Sequence, residues 1–578
     1  MRGKWYLFGC LTSVVLVILF IVISISSVIK LAKKPTSAIK IANDSVLHLN
    51  LRGAIQEYSE VSDMNFKFIP ESAHDIIQKI NTAADDQRIK AILLEPQSVV
   101  TSRATLNEIM YALKDFKETG KKVYGYITFA TQSDIYLLGA ADEVYMNPSA
   151  SAGFVLTGTG GTVEYYKDLL DKIGVSMRVV RAGEYKSAGE NFTRSSMSPE
   201  FRRNLTDLYS DIYARSLNDF ARNFQSSQEK FRYAFERRQE YIINLDKGIE
   251  LGVVKELLFF DKMLKNLNIS EDQLVKLSNY RAEPPREHLN KIAVIYAQGN
   301  ITPVPAQMGS SNITSKQYVR ILEKIENDDN IKAVVLRINS PGGSALESEI
   351  IYNKISQVKI KKPIIVSMGG VAASGGYYLA ANANRIFADP YTITGSIGVV
   401  SMIPDLRNAA DKIGINTETV GHGKFLNMSD LKGYWNRDLE RGLEIMTNDV
   451  YDEFKNRVAR GREMSLNDVE RVAQGQVWSA TKALQHNLVD EIGGLNDAIK
   501  KAAEIASIGR YSMLYFPERR NMFETLLEEH FNFSLVKMII RNELPEFISK
   551  PVDKSLEFLN DIEAHPIQMR SELILEFE

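Results

Sequence analysis

Pro363-Ile364-Ile365-Val366-Ser367-Met368-Gly369-Gly370-Val371-Ala372-Ala373-Ser374-Gly375-Gly376-Tyr377-Tyr378-Leu379 is the stretch from which the rest of the chain is read. Pro363 to Met368 is an apolar strand. It breaks at paired glycines and passes straight into an apolar helix. Such a turn sits at a helix N-terminus, where unpaired backbone N–H groups point outward and the dipole favours negative charge. Ser374 is the only side chain in the turn that can act as a nucleophile, and its small neighbours let a substrate backbone come close. If Ser374 attacks a carbonyl, the N–H of Gly375 is placed to hold the oxyanion. Alone, the turn is equally an ordinary glycine-rich strand–helix junction, so the chemistry depends on partners elsewhere.

A second oxyanion donor is expected from Leu336-Arg337-Ile338-Asn339-Ser340-Pro341-Gly342-Gly343-Ser344, which ends one strand and opens a helix. The N–H of Gly343 is expected to point at the same carbonyl, with Ser344 as helix N-cap. A serine also needs a base. The chain has seven histidines, and the first after Ser374 is His422; none carries a local cue for a triad.

The base emerges from a repeat. Ala84-Asp85-Asp86-Gln87-Arg88-Ile89-Lys90-Ala91-Ile92-Leu93-Leu94 is echoed by Asn327-Asp328-Asp329-Asn330-Ile331-Lys332-Ala333-Val334-Val335-Leu336. Asp171-Lys172-Ile173-Gly174 is echoed by Asp411-Lys412-Ile413-Gly414, and further matches run from Tyr136 to Pro148 and from Lys247 to Glu256. The spacing shortens slowly along the chain, as small loop deletions would make it. The period is far too long for a solenoid, so this is a duplicated domain. Within each copy, strand and helix patterns alternate at short spacing, which predicts an α/β fold. The register sets Gln132 opposite Ser374 and Lys186 opposite Leu426. The counterpart of the Gly342-Gly343 turn, near Glu95-Pro96-Gln97-Ser98, has no glycines. One copy keeps the lysine and the other keeps the serine, so two packed copies would make one composite site. A lysine acts as base only when neutral, so its pKa must fall from about 10.4. Burial does this by disfavouring the ammonium, and Tyr185 is a candidate cover.

The expected division is residues 1–4 before a membrane-spanning signal-anchor at 5–29, a linker at 30–45, a first copy at 46–280, a linker at 281–290, a second copy at 291–505, and a mostly helical tail at 506–578. Trp5 to Ile29 contains no charged residue and is long enough to cross a bilayer. It is also longer than the apolar region of a cleavable signal peptide. Lysines and arginines flank it on both sides, so charge does not decide its orientation. Each copy carries a long charged, amphipathic helical section, at Pro199 to Gln239 and Arg437 to Arg462. These read as solvated arms with an apolar stripe and as candidate oligomer contacts. Apolar patches in the tail (Phe523, Leu526, Leu527, Leu535) are too short to span a membrane.

At 578 residues the chain is too long for one core. A net charge of −2 gives no basic field to recruit nucleic acid. The single cysteine, Cys10, excludes an intrachain disulfide framework and a cysteine-based metal cage, and no metal-ligand spacing occurs elsewhere. No metal or cofactor is expected.

Four motifs together resemble the long, duplicated type of signal peptide peptidase A, also called protease IV. They are Ser340-Pro341-Gly342-Gly343, Ala372-Ala373-Ser374-Gly375-Gly376-Tyr377, Tyr391-Thr392-Ile393-Thr394-Gly395-Ser396-Ile397-Gly398, and Gly183-Glu184-Tyr185-Lys186-Ser187-Ala188. The resemblance runs from the anchor to about residue 505. It implies tandem domains of the Clp protease and crotonase superfamily, and a Ser–Lys dyad with Ser374 as nucleophile and Lys186 as general base. It also implies a single-pass anchor in the bacterial inner membrane, catalytic domains in the periplasm, and a homotetramer that degrades cleaved signal peptides. The function expected is therefore a membrane-anchored serine endopeptidase acting on apolar peptides through an acyl-enzyme. Two other readings use the same residues. One is a crotonase-like acyl-CoA enzyme, in which the glycine N–H groups hold a thioester enolate; the anchor and Lys186 argue against it. The other is a non-catalytic membrane scaffold with purely structural glycine turns.

Overall fold

Short apolar runs rich in Val, Ile and Leu alternate with amphipathic helices along the chain, and runs of this kind, buried on both faces, form parallel strands. In the computed structural model, which describes residues 41–62, 71–281, 287–306, 311–423, 425–426, 437–521 and 567–570, they build two such sheets. The first has the order Leu274–Lys276, Ser45–Ala54, Ile89–Val100, Lys122–Ile127, Glu143–Met146, Glu256–Leu257, with every pair parallel. The second repeats it with Ser512–Phe516, Lys291–Gln298, Ile331–Ser340, Ile364–Ala373, Arg385–Ala388, Glu491–Ile492, again parallel. Strand for strand the two orders match, which is the duplication seen in the sequence. The α/β class expected from the alternating strand and helix patterns is the one found, with first-copy helices at Ala73–Asp85 and Arg103–Glu118.

Two boundaries differ from the sequence reading. The Ser512–Phe516 strand completes the second sheet as Leu274–Lys276 completes the first, so the second copy continues past residue 505. The only regular elements among the described tail residues are strands, at Ser512–Phe516, Arg520–Asn521 and Ile567–Arg570, where a mostly helical tail was expected. Sequential strands of this length carry too little periodicity to be told from a helical fragment. The remainder of the tail, the 5–29 segment, most of the first linker and residues 282–286 of the second lie outside the described residues. Among the described residues no helix is long and apolar enough to cross a membrane.

A third sheet joins the copies. Ser176–Ala182 of the first copy runs antiparallel to Val399–Asp405 of the second, from Ala182 opposite Val399 to Ser176 opposite Asp405. The Pro199–Asn223 helix also bridges them, where a protruding arm was expected. Phe201, Leu205, Leu208, Leu217 and Phe220 fill the first copy's core. Each such side chain contributes about 1.5–3 kcal/mol on burial. On the same helix, Asn204 bonds both backbone groups of Val477, donating to its carbonyl and accepting from its N–H at 3.0 Å each.

Candidate active site

Ser374 ends the Ile364–Ala373 strand and caps the six-residue Gly375–Ala380 helix. Its backbone is at φ 53°, ψ −118°, a conformation that costs an L-residue roughly 1–3 kcal/mol. The surroundings enforce it. The Ser374 N–H donates to the Gly395 carbonyl at 2.8 Å, and its carbonyl accepts from the Tyr378 N–H at 2.9 Å. The side chain makes no capping bond to the helix, so its hydroxyl is left for another partner.

That partner is Lys186. Its Nζ lies 2.8 Å from Ser374 Oγ and 3.1 Å from both the carbonyl oxygen and Oγ of Ser396. Lys186 is 1% exposed and Ser374 is fully buried. Tyr185 is half-buried. The serine comes from the second copy and the lysine from the first, and the strand pairing of Ser176–Ala182 with Val399–Asp405 delivers the lysine loop to its place. The loop is clamped there by second-copy backbone. Tyr185 N–H donates to the Gln474 carbonyl at 2.8 Å, and Glu184 N–H to Gln474 Oε1 at 2.9 Å. Gly475, at φ +78°, packs so closely that a Cβ on it would lie 2.5 Å from Lys186 N. The two copies therefore meet in one site.

The Gly342-Gly343 turn lies against the serine. A Cβ on Gly342 would come within 2.7 Å of Gly375 N and 3.0 Å of Ser374 Cβ. Gly342 holds φ +101° and donates its own N–H to Ser340 Oγ at 3.1 Å. Ser344 is the N-cap of the Ala345–Lys361 helix. In the first copy, Gln132 stands at the position of the serine and bonds Gly158, accepting from its N–H at 2.8 Å and donating to its carbonyl at 2.9 Å. Three of the described histidines have other partners: His48 bonds Glu95, His74 packs on Tyr515 and His486 on Trp478.

Peptidase family S49 matches residues 115–274 and 356–509, once in each copy and over half of the chain in all. The chain belongs to peptidase family S49. It is 32% identical over 515 residues to Protease 4 of Haemophilus influenzae, a match covering 82% of this chain and 81% of that protein. It is 30% identical over 487 residues to the chloroplastic serine protease SPPA of Arabidopsis thaliana, covering 81% and 70% of the two chains. It is 29% identical over 481 residues to Protease 4 of Salmonella typhi, covering 79% and 76%. Residues 302–393, which carry both glycine turns, also match the Clp protease family. This S49 chain is thus a serine peptidase of the long duplicated type, with duplicated S49 domains and a Clp protease-like α/β fold.

The sequence reading had placed Lys186, Ser374, Gly375 and the Gly342-Gly343 turn near one another, and they are neighbours. It had given no role to Ser396 or to Gln474-Gly475. Ser396 stands in the quoted Thr394-Gly395-Ser396-Ile397-Gly398 run, whose glycines mark a tight loop, and it too has positive φ, 52°. The signal for it was there; its direction toward Lys186 was not.

Proposed function

We propose that this peptidase uses Ser374 as nucleophile and Lys186 as general base, with the N–H groups of Gly343 and Gly375 as oxyanion donors. The observation that carries the reading is the 2.8 Å approach of Nζ to Oγ inside a site closed to solvent. Burial disfavours a charged ammonium, so the amine is driven toward the neutral form that can take a proton. Use of the Gly342 N–H on Ser340 supports Gly343, and not Gly342, as the second donor. Ser374 attacks the peptide carbonyl while Lys186 takes its proton. Lys186 then protonates the leaving amine, and water, deprotonated by the same lysine, resolves the acyl-enzyme.

The substrates are apolar peptides, cleaved signal peptides among them. The uncharged Trp5–Ile29 segment anchors the chain in the bacterial inner membrane by a single pass, with the catalytic copies in the periplasm and four chains per assembly. The resemblance of the motifs to signal peptide peptidase A supports this part. The test is labelling by a fluorophosphonate serine probe, alongside hydrolysis of a leucine-rich peptide, in wild type, Ser374→Ala and Lys186→Ala. Labelling and hydrolysis are expected in wild type and lost in both variants. Hydrolysis that persists in both variants removes the mechanism.

A further inference from the structure

A cavity that shares no residue with the Ser374–Lys186 site lies on the seam between the copies. It is walled by the Ala73–Asp85 and Arg103–Glu118 helices of the first copy, and by the Lys291–Gln298 and Ser512–Phe516 strands and the Leu495–Ile505 helix of the second. Its volume is about 110 Å³. One water needs about 10–15 Å³, so the space takes a small organic molecule.

The floor of the cavity is acidic. Glu57 is 7% exposed, and its Oε1 accepts from Arg337 at 2.9 Å. Its Oε2 has no hydrogen-bond partner among the described residues. A buried acceptor left in this way costs stability unless a donor enters beside it. Glu108 Oε1 lies 3.1 Å from Arg337 and accepts from the Leu495 N–H at 2.8 Å. Burial raises the Glu108 carboxyl, as it does for an anion short of counter-charge. Asp115, which is exposed, adds a third carboxyl group to the lining. His74 also lines the space, but burial lowers its pKa from 6.5 to about 4, so it stays neutral. Three carboxyl groups therefore face one guanidinium, and two are left without a cation among the lining residues.

The other walls are apolar and aromatic, from Ile77, Ile499, Met513, Tyr296 and Tyr515. His74 Nδ1 lies 3.2 Å from the Tyr296 hydroxyl, and Gln78 donates to the Tyr515 hydroxyl at 3.0 Å, so both rings are held in place. Such walls suit methylene groups and the ammonium they carry. They do not suit a hard metal ion, which takes about six or more oxygen ligands. Glu108, Tyr111, Ala112 and Asp115 follow at helical spacing, so one face of their helix runs along the cavity. The rise per residue sets Glu108 and Asp115 about 10 Å apart along the axis.

We propose that this cavity binds a short aliphatic diammonium ion, one end held by Glu57 and Glu108, the other by Asp115, and the methylenes against the apolar walls. Bound there, the ion touches both copies, and its binding free energy adds to the stability of their pairing. The inference uses no part of the peptidase chemistry.

Isothermal titration of the purified full chain with 1,4-diaminobutane, n-butylamine and sodium chloride at matched ionic strength tests this. Saturable one-to-one uptake of the diamine is expected. The monoamine is expected to bind about threefold to fivefold more weakly, the share of one solvent-exposed ion pair. Asp115→Asn should bring the diamine down to the monoamine's affinity and leave the monoamine unchanged. Glu57→Gln should weaken both amines by about tenfold or more, through loss of the charge-assisted bond. Asp115→Asn alters an exposed side chain, so it decides the matter even where Glu57→Gln fails to fold. Heat no greater than that of sodium chloride overturns the proposal. Equal affinity for the two amines in wild type also overturns it, as does diamine binding that Asp115→Asn leaves unaltered.

Discussion

Lys186 Nζ has a tripod of oxygens around it, two from Ser396 and one from Ser374. A neutral amine has two N–H donors and one lone pair. If the donors go to Ser396, the lone pair is left facing the Ser374 hydroxyl, which is the orientation a base needs. Ser374→Ala and Lys186→Ala are each expected to lower kcat/KM by about 10³-fold or more, with the double variant no worse than either, because the pair acts as a unit. Lys186→Arg should be as inactive as alanine, since a guanidinium does not give up its proton. Ser396→Ala removes one leg of the tripod. We expect a drop of roughly tenfold in kcat with KM unchanged, since the lysine is then aimed less tightly and nothing that touches substrate is lost. Stopped-flow acylation by an activated ester separates these effects. An unchanged acylation rate in Ser396→Ala would show that Ser396 does not position the lysine.

At the scale of elements, the site depends on a loop of the first copy being pinned by a loop of the second. Gly475→Ala tests the pin. Its φ of +78° strains any L-residue, and the new Cβ would meet Lys186 N at 2.5 Å, so one of the loops must move. We expect a loss of about 1–3 kcal/mol in stability and about 10²-fold in activity, read by chemical denaturation and peptide hydrolysis. Wild-type activity in this variant would mean the lysine loop is positioned from elsewhere. These elements also show what could be read from the chain alone. The Pro363–Leu379 strand–turn–helix was legible because its apolar run and paired glycines act locally. The duplication was legible because short motifs recur in order. Asn204 was not, because one asparagine on an amphipathic helix looks the same whether it faces water or grips Val477 from both sides. Gln474-Gly475 was not, because its role is a contact with a residue nearly three hundred positions away. The Ile567–Arg570 strand has too few residues for a period to register.

For the whole molecule, the question is what holds two copies in register closely enough for a divided site to work. Between them is a buried polar seam. Arg337 of the second copy reaches Glu57 at 2.9 Å and Glu108 at 3.1 Å, both from the first, and is 2% exposed. Tyr391 donates to Asp219 at 2.8 Å. Arg337→Met would leave two carboxylates buried without their cation, at an expected loss of about 3–5 kcal/mol, with activity falling as the copies lose register. Denaturant midpoints and peptide hydrolysis on the same samples check both effects. Close by, Asn107 donates to both carboxylate oxygens of Asp389 at 3.1 and 3.0 Å, and Tyr391 N–H donates to one of them at 2.9 Å. Burial raises the Asp389 carboxyl from 3.8 to about 7, outweighing the hydrogen bonds that favour the anion. Between those values the folded chain holds a proton that the unfolded chain has released. Stability therefore falls as pH rises from about 4 to about 7, by up to ~4 kcal/mol from this group. Burial raises Glu108 in the same direction. Asp389→Asn keeps the shape and removes the charge, so its thermal midpoint should decline less than wild type between pH 5 and pH 8, and the two curves should diverge most at the alkaline end. Parallel curves across that range would place the pH dependence in some other group and leave the seam a fixed contact without a titrating member.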